Sequence, residues 1–380
     1  MRFAAQTAAF PALICPGPPA AGTERNEKTN VPIHASSVQE TYEQMKKQLA
    51  NVVPDVELRI KAELAYEINR LKVEKNAVIL GHNYMEAALF HSVPDIVGDS
   101  LYLSRMAAQT DKDIIVFCGV EFMAETAKLL NPEKMVLLPA EKAGCSLAAS
   151  ITAEDVRRLK AQYPGVPVVT YVNTYADVKA ESDICCTSGN AVEVVNSFDS
   201  DTIIFLPDEY LAKNVAKETG KRIIVPSRMS NIELAEAGAD FDMIGWHGRC
   251  EVHEQFTVQD VADVRAQFPD VAILAHPECS PEVVAASDFS GSTTAMIRFV
   301  EQTAKPHYLL LTECSMGDNV AAANPHKDML RLCSVRCPHM NQITLEDTLE
   351  ALRKDQYQIH VPEEIRVRAA QAVQRMIAIG

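Results

Sequence analysis

The sequence predicts an α/β protein built from three similar small domains with parallel sheets. Apolar runs typical of strands alternate with amphipathic stretches, which is the pattern of βαβ units. Three runs end in similar polar signatures, A-V-I-L-G-H-N at 77–83, V-V-T-Y-V-N at 168–173 and A-I-L-A-H-P-E at 272–278. These starts give a period of about 90–105 residues, which is too long for a solenoid and suits a triplicated domain.

The individual elements follow from the same alternation. Eight apolar runs are predicted to be strands: 77–81, 113–118, 134–138, 166–172, 202–206, 222–225, 271–275 and 307–312. Segments with apolar residues at i, i+3 and i+4 are predicted to be helices: 86–108, 121–131, 151–163, 188–198, 209–220, 258–268 and 293–305. Residues 37–73 also have a helical pattern.

The repeat period divides the chain into six predicted segments. They are a disordered N-terminal tail at 1–36 that contains Cys15, a helical segment at 37–75, repeats at 76–163, 164–268 and 269–345, and a C-terminal helical segment at 346–380. The tail is rich in Ala, Pro and Thr and has no helical period.

The composition excludes several classes of protein. Of 380 residues, 47% are apolar and 23% charged, which are ordinary fractions for a soluble globular protein. A net charge of −15, without a stripe of Lys and Arg, argues against nucleic-acid binding. No apolar run approaches the roughly 20 residues that span a bilayer. Ten irregularly spaced cysteines indicate a reducing compartment, so we expect a cytoplasmic protein.

Three cysteines lie at matching places in the repeats. Cys145, Cys250 and Cys337 each follow a strand signature and lie among Gly, Ser, Arg and His in loop-like sequence. Three converging thiolates are one ligand short of a closed iron–sulfur or zinc site, which leaves a position open for chemistry. Cys118, inside an apolar strand, is predicted to be a buried hydrophobic residue. Cys333 is an alternative second ligand or redox partner for Cys337.

Each repeat also has a Ser/Thr cluster where a helix begins, at 98–100, 187–190 and 290–294. Such residues cap helices, and the free N–H groups there attract anions. At equivalent positions in three repeats, these helix ends would point toward a common axis. The pattern therefore predicts a cradle for a substrate with several carboxylates or phosphates.

Histidines and one carboxylate lie beside the repeat signatures. His82, His253 and His276 are candidates for carboxylate binding, proton transfer or metal ligation. Glu278 ends a strand, where open α/β sheets place their ligands, and is a candidate general base. Tyr84 is a candidate hydrogen-bond donor or acid, and Tyr171 is another.

From about residue 40 onward, the chain resembles the quinolinate synthase family, iron–sulfur enzymes of NAD biosynthesis. The matching segments are G-H-N-Y at 81–84, G-D-S-L at 98–101, G-V-E-F-M-A-E-T-A-K at 119–128, G-C-S-L at 144–147, Y-V-N-T at 171–174, T-S-G-N-A at 187–191, G-R-C-E-V-H at 248–253, H-P-E at 276–278, G-S-T at 291–293 and C-P-H-M at 337–340.

The resemblance implies three domains around a pseudo-threefold axis, with the active site at the centre. It implies one [4Fe–4S] cluster per chain, held by Cys145, Cys250 and Cys337, and condensation of iminoaspartate with dihydroxyacetone phosphate. L-aspartate oxidase is then a candidate supplier of iminoaspartate, and no nucleic acid or membrane is expected as a partner. The positions that match the family's substrate-binding residues are His82, Ser100, Tyr171, Asn173, Ser188, His276, Glu278 and Thr293. Those that match its proton-transfer residues are Tyr84, His253 and Glu278.

The chain departs from the family pattern in three places. Some members have a C-x2-C step before the last ligand, whereas this chain has Cys333 and Cys337 in a C-x3-C. The stretch 227–245 is predicted to form an extra helix. Cys279 directly follows H-P-E and is a candidate for accidental ligation or oxidation.

Two other functions remain open from the residues alone. An electron-transfer or redox-sensing protein would use Cys333 or Cys314 as a fourth cluster ligand. A zinc hydrolase would use two histidines and a carboxylate.

Overall fold

A computed structural model describes residues 32–228, 241–332 and 335–379 of the chain. Most of the predicted tail, with Cys15, lies outside the described residues, as do Cys333 and most of the stretch proposed as an extra helix, 229–240. Among the described residues, no helix combines the length and apolar character needed to cross a bilayer.

The chain begins with two helices, α1 (Val38–Leu49) and α2 (Asp55–Glu74), which confirms the helical pattern of this region. The Ser37 side chain caps α1 by accepting the Glu40 N–H at 3.2 Å. Pro54 separates the helices because the residue before a proline is biased away from helical geometry. The two helices pack against each other, and α2 also packs against the first sheet.

The first repeat is a four-stranded parallel sheet of order β2-β1-β3-β4. Its strands are β1 (Ala77–His82), β2 (Ile96–Gly98), β3 (Ile114–Cys118) and β4 (Met135–Leu137), and its helices are α3 (Ala87–Phe90), α4 (Ser100–Gln109) and α5 (Glu121–Leu130). The predicted helix 86–108 is wrong, since β2 divides it. Pro94 cannot continue a helix, and the apolar residues after it pair with β1 instead.

The second repeat has five parallel strands in the order β6-β5-β7-β9-β8. Its strands are β5 (Val168–Tyr171), β6 (Ile184–Cys186), β7 (Ile203–Leu206), β8 (Ile223–Ile224) and β9 (Met243–Gly245). Helix α6 (Ala153–Gln162) precedes them, and α7 (Ala176–Ala180), α8 (Ala191–Asn196) and α9 (Glu209–Thr219) lie between them.

The third repeat returns to four parallel strands, in the order β11-β10-β12-β13. They are β10 (Val271–Ala275), β11 (Phe289–Ser290), β12 (His307–Leu311) and β13 (Asp328–Leu330). Helix α10 (Val258–Gln267) precedes them, and α11 (Pro281–Ala286), α12 (Thr293–Gln302) and α13 (Cys314–Ala323) connect them.

The three sheets share the arrangement of their first three strands, which confirms the predicted fold class of three similar α/β units with parallel sheets. In each sheet the second strand lies on one side of the first and the third strand on the other. The carboxyl ends of the first and third strands therefore form a switch point, where α/β sheets bind ligands. All eight predicted strands are present, but five short ones (β2, β6, β9, β11 and β13) were not predicted.

The C-terminal segment packs back onto the first two repeats. Helix α14 (Leu345–Lys354) contacts α2 and β3, and helix α15 (Glu363–Ala378) contacts α7, β6 and α5. Between these helices the backbone pairs with the edge strand β4, with Leu138 and Tyr357 exchanging hydrogen bonds of 2.9 Å. The segment therefore completes a sheet that begins near residue 77.

Candidate functional site

The loops that follow the first strand of each repeat meet at one central pocket, which all three repeats line. The structure brings every residue predicted for the site to the lining of this pocket: His82, Tyr84, Ser100, Cys145, Tyr171, Asn173, Ser188, Cys250, His253, His276, Glu278, Thr293 and Cys337.

Two histidines at the ends of equivalent strands have the same local geometry. The His82 Nδ1 accepts the backbone N–H of Tyr84 at 3.2 Å, and the His276 Nδ1 accepts that of Glu278 at 3.3 Å. Burial lowers the pKa of His82 to about 4 and that of His276 to about 3. Both imidazoles are therefore neutral, and each carries its proton on Nε2, where it can donate to a substrate.

Glu278 is buried and receives hydrogen bonds on both carboxylate oxygens. The Tyr171 hydroxyl donates to Oε1, and the His253 Nδ1 donates to Oε2 at 2.8 Å. Burial acts to raise the pKa of Glu278, but the adjacent His253 and these two hydrogen bonds outweigh it and hold the pKa below its usual value. Glu278 is therefore an ionised carboxylate in a fixed orientation.

A threonine extends this network to a tyrosine. The Thr312 hydroxyl lies 2.9 Å from the His253 Nε2 and 2.5 Å from the Tyr84 hydroxyl. Burial raises the pKa of Tyr84 well above its usual value, so its hydroxyl stays protonated and donates to Thr312. Hydrogen bonds thus run in one direction, from Tyr84 through Thr312 and His253 to Glu278. Such an alignment can move protons between two ends of a pocket.

Two helix N-termini reach the pocket with their caps in contact. Asp99 caps α4 and Ser292 caps α12, and the Ser292 hydroxyl donates to the Asp99 carboxylate at 3.3 Å. The next residues, Ser100 and Thr293, line the pocket. These two helices have 10 residues each, whereas α8, in the second repeat, has only six.

The turn before α8 contributes polar side chains rather than a long helix dipole. The Ser188 hydroxyl lies 3.3 Å from the Nε2 of His276. Asn173, nearby in the pocket lining, has a buried Oδ1 without a hydrogen-bond partner among the described residues. Buried polar atoms are normally paired, so this oxygen is available to accept a hydrogen bond from a ligand.

The three pocket cysteines have the same local structure. The carbonyl of each accepts the N–H of the fourth residue onward at 3.0 Å: Ala149 for Cys145, Glu254 for Cys250 and Asn341 for Cys337. A single 3₁₀ turn begins three residues after each cysteine, over Ala148–Ser150, His253–Gln255 and Met340–Gln342. The repeat therefore presents the three thiols in equivalent ways.

A glycine allows the second of these loops to pass close to its neighbours. A Cβ atom at Gly248 would lie 2.4 Å from the Ser150 Oγ and 2.7 Å from the Pro207 carbonyl oxygen. Only glycine fits this approach without moving the backbone, which explains the glycine two residues before Cys250.

The thiols suit a metal centre. The eight described cysteines are all free. Burial raises the pKa of Cys145 to about 12, that of Cys337 to about 11 and that of Cys250 well above its usual value. Buried thiols become thiolates readily only beside positive charge, which a metal supplies. The Cys250 thiol also lies with ligand atoms of His253 and Glu278 within 4.8 Å of one another, a grouping that can hold one ion.

The remaining cysteines of interest are buried. Cys185 and Cys186 are buried in β6, and Cys118 is buried in β3 as predicted. Cys279 donates its S–H to the Leu311 carbonyl at 3.5 Å, and its burial disfavours both ligation and oxidation. Cys314 is buried at the start of α13.

Sequence reasoning missed two residues of the pocket region, Thr312 and Glu313. Both directly follow β12, and Glu313 lines the pocket. Burial raises the pKa of Glu313 to about 7. The signal was available, because a polar pair after an apolar strand is the same pattern that singled out His276 and Glu278 in the same repeat.

Comparisons with known proteins identify the family of the chain. The family model described as quinolinate synthetase A protein matches residues 66–378. The chain is 52% identical over 329 residues to a quinolinate synthase of Caulobacter vibrioides, covering 86% of this chain and 84% of the relative. It is 51% identical over 332 residues to quinolinate synthase 2 of Mesorhizobium japonicum, covering 87% and 96% of the two chains. For a quinolinate synthase of Sinorhizobium fredii the identity is 48% over 354 residues, with 93% and 92% covered. The chain therefore belongs to the quinolinate synthetase A family.

Proposed function

We propose that the chain condenses iminoaspartate with dihydroxyacetone phosphate to quinolinate, with release of phosphate and water. Family membership makes the chain an enzyme of NAD biosynthesis. One observation carries the finer proposal: three free thiols and an acid–base network line the same pocket. The proposal includes a cytoplasmic location, supply of iminoaspartate by L-aspartate oxidase, and repeats bounded at 76–163, 164–268 and 269–345 that each contribute one cysteine.

Cys145, Cys250 and Cys337 would hold one [4Fe–4S] cluster per chain. Equivalent loops, one from each repeat, and the raised thiol pKa values support this assignment. When bound, a cluster with three protein ligands supplies an open iron that acts as a Lewis acid toward a carboxylate or hydroxyl group.

The polar lining suits a substrate with two carboxylates. His82 and His276 offer neutral Nε2–H donors, and a neutral donor binds a carboxylate without needing a proton from solution. Ser100 and Thr293, at the N-termini of α4 and α12, add hydroxyl groups where the helix dipole favours negative charge. The unpaired Asn173 Oδ1 can accept the N–H of an imine.

Proton transfer falls to the hydrogen-bonded chain around Glu278. As an ionised carboxylate, Glu278 can remove a proton from carbon beside a carbonyl or imine. His253 donates from Nδ1 to Glu278 and accepts at Nε2 from Thr312, so the base is held in a fixed orientation for this step. Tyr84, protonated at the far end, can donate to a leaving hydroxyl so that it departs as water. Burial of these groups limits the access of bulk water to a hydrolysis-prone imine.

Anaerobic purification followed by metal analysis tests the proposal. We expect about four irons and matching sulfide per chain, as a [4Fe–4S] cluster requires. The visible spectrum should change when the dicarboxylate product is added, and quinolinate should form from the two substrates. Zinc without sulfide would instead favour a single ion at Cys250, His253 and Glu278, the hydrolase alternative.

A second experiment separates the enzyme from an electron-transfer protein. The latter needs a fourth protein ligand, for which Cys333 and Cys314 are the candidates. Under the proposed function, Cys333→Ser and Cys314→Ser should each keep the full iron and sulfide content. Loss of the cluster in either variant would contradict the proposal that one iron of the cluster has no protein ligand.

A further inference from the structure

The helix that follows the third strand of each repeat contacts the site loop of the next repeat. Helix α9 of the second repeat contacts the loop after β10, and α13 of the third contacts the loop after β1. Helix α5 of the first repeat contacts the loop after β5. The contacts form a closed ring of three around the pocket.

In the contact from α9, one buried asparagine spans the segment that contains Glu278. The Asn214 amide donates to the Pro277 carbonyl at 2.8 Å and to the Cys279 carbonyl at 3.0 Å. These carbonyls belong to the residues directly before and after Glu278. Asn214 is 4% exposed, so solvent does not replace these bonds readily.

The contact from α13 has the same form. The Asn319 amide donates to the Asn83 carbonyl at 3.0 Å and to the Met85 carbonyl at 2.8 Å, and these residues flank Tyr84. Asn319 is also 4% exposed. Both asparagines are the sixth residue of their helices, α9 and α13, so they occupy equivalent places in two repeats.

The contact from α5 lies at the equivalent place, but its side chain accepts a hydrogen bond from the backbone, whereas the two asparagines donate. Glu125, the fifth residue of α5, accepts the N–H of Ala176 at 2.9 Å, at the start of α7 where the loop after β5 ends. In that loop the Thr174 carbonyl receives its hydrogen bond from the buried Lys179 of the same repeat. The two asparagines are therefore the members of the ring that span a single site residue with two bonds.

We propose that Asn214 and Asn319 are positioning residues that hold Glu278 and Tyr84 in their reactive orientation from the neighbouring repeat. The inference rests on the proposed roles of these two side chains. Neither asparagine lines the pocket as described, so each acts through the backbone on both sides of the residue that it fixes. Displacement of a reacting group by about 1 Å can cost roughly 10²-fold in rate.

The test compares Asn214→Ala with a matched control, Asn131→Ala. Asn131 is also buried, and its amide donates to the carbonyls of Ala107 and Ala127 at 2.9 and 3.0 Å, both within the first repeat. Each variant therefore loses two similar hydrogen bonds. We expect both to lower the melting temperature by several degrees and to keep the iron content and cluster spectrum of the wild type.

Of the three alanine variants, only those at Asn214 and Asn319 should lower the turnover rate. For Asn214→Ala and Asn319→Ala we expect kcat to fall by about 10-fold or more, with a smaller change in KM. For Asn214→Ala the acidic limb of the pH–rate profile should also move, because Glu278 would no longer be held against Tyr171 and His253. Asn131→Ala should keep kcat within about twofold of the wild type.

Two results would overturn the inference. One is a kcat for Asn214→Ala and Asn319→Ala that stays near the wild-type value, and the other is an equal fall in Asn131→Ala. If an alanine variant does not fold, Asn214→Ser retains one donor and should give an intermediate kcat. A wild-type protein that makes no quinolinate would remove the proposed function itself, whereas an active wild type with unaffected variants would remove only this inference.

Discussion

The pocket has two sides that are organised differently. On the acid–base side, side chains from the three repeats bond directly to one another, as Tyr171 and His253 do with Glu278. On the thiol side, the cysteines contact backbone amides of their own loops, such as the Met340 N–H at 3.5 Å from the Cys337 Sγ. The acid–base side is therefore assembled by the protein itself, whereas the proposed metal cluster would join the thiols.

The largest effect is expected when one of the three pocket thiols is removed. Cys145→Ser, Cys250→Ser and Cys337→Ser should each lose or destabilise the cluster and reduce quinolinate formation below detection, since a hydroxyl is a poor substitute for a soft thiolate. Iron and sulfide counts with the anaerobic spectrum provide the measurement. A variant with unchanged iron and sulfide would remove that cysteine from the ligand set.

The next test removes the base and leaves the thiols alone. Glu278→Gln should lower kcat by about 10²–10⁴-fold, the usual contribution of a general base. The cluster spectrum should match the wild type. Near-normal turnover would exclude Glu278 as the base, and loss of the cluster would show that the two sides are not independent.

A smaller effect is expected from one donor within the acid–base side. Tyr171→Phe removes the hydroxyl that stabilises the ionised Glu278, so the pKa of Glu278 should rise. Activity that needs the carboxylate is lost as pH falls through that pKa, so the acidic limb of the kcat/KM profile should move to higher pH. We expect roughly a 10-fold loss of kcat/KM at neutral pH, consistent with one charge-assisted hydrogen bond.

Tyr308→Phe is the matched control for that variant. The Tyr308 hydroxyl also donates to an acceptor inside the protein, the Thr303 carbonyl, but it belongs to the core of the third sheet. It should leave the pH profile unchanged. An identical shift of the pH profile in both variants would show that the effect comes from a general loss of stability and not from the hydrogen bond to Glu278.

The smallest expected effect concerns a buried carboxylate without the partners of Glu278. Burial raises the pKa of Glu125 to about 7 from its usual 4.5, although Lys179 and the Ala176 N–H act to lower it. The folded protein therefore binds this proton more tightly than the unfolded chain, and the associated stability is lost as pH rises from about 4.5 through 7. Glu125→Gln should remove a pH dependence of about 1–3 kcal/mol over this range.

Melting temperatures measured from pH 5 to 8 check this expectation. The difference between Glu125→Gln and the wild type should grow in favour of the variant as pH rises. A constant difference across the range would mean that Glu125 is already ionised at pH 5.

The sequence contains a stronger signal for the thiol side than the strand signatures used to find it. Each pocket cysteine is followed seven residues later by a threonine and three residues after that by an aspartate, Thr152 and Asp155 in the first repeat. The other seven cysteines lack this pattern. The threonines cap α6, α10 and α14, so the spacing reflects the 3₁₀ turn and the helix start that follow each pocket cysteine.

The acid–base side was less accessible to sequence reasoning for a physical reason. His276 and Glu278 end a strand and could be found from that position, because strand ends converge in α/β sheets. Thr312 and Asn214 make contacts between repeats, and no local period encodes which residues meet across such a boundary. The short strand β2 was missed for a related reason, since its pairing with β1 overrides the helical spacing of its apolar residues.

The pairing of residues 357–359 with β4 has a consequence for synthesis of the chain. The sheet that forms first in sequence obtains its last partner from a segment more than 200 residues later, and helix α2 obtains α14 from the same region. Contacts of such long separation form slowly. The first repeat therefore leaves the ribosome with an uncovered edge strand and an exposed apolar helix face. Until the C-terminal segment is made, this edge is open to pairing with another molecule.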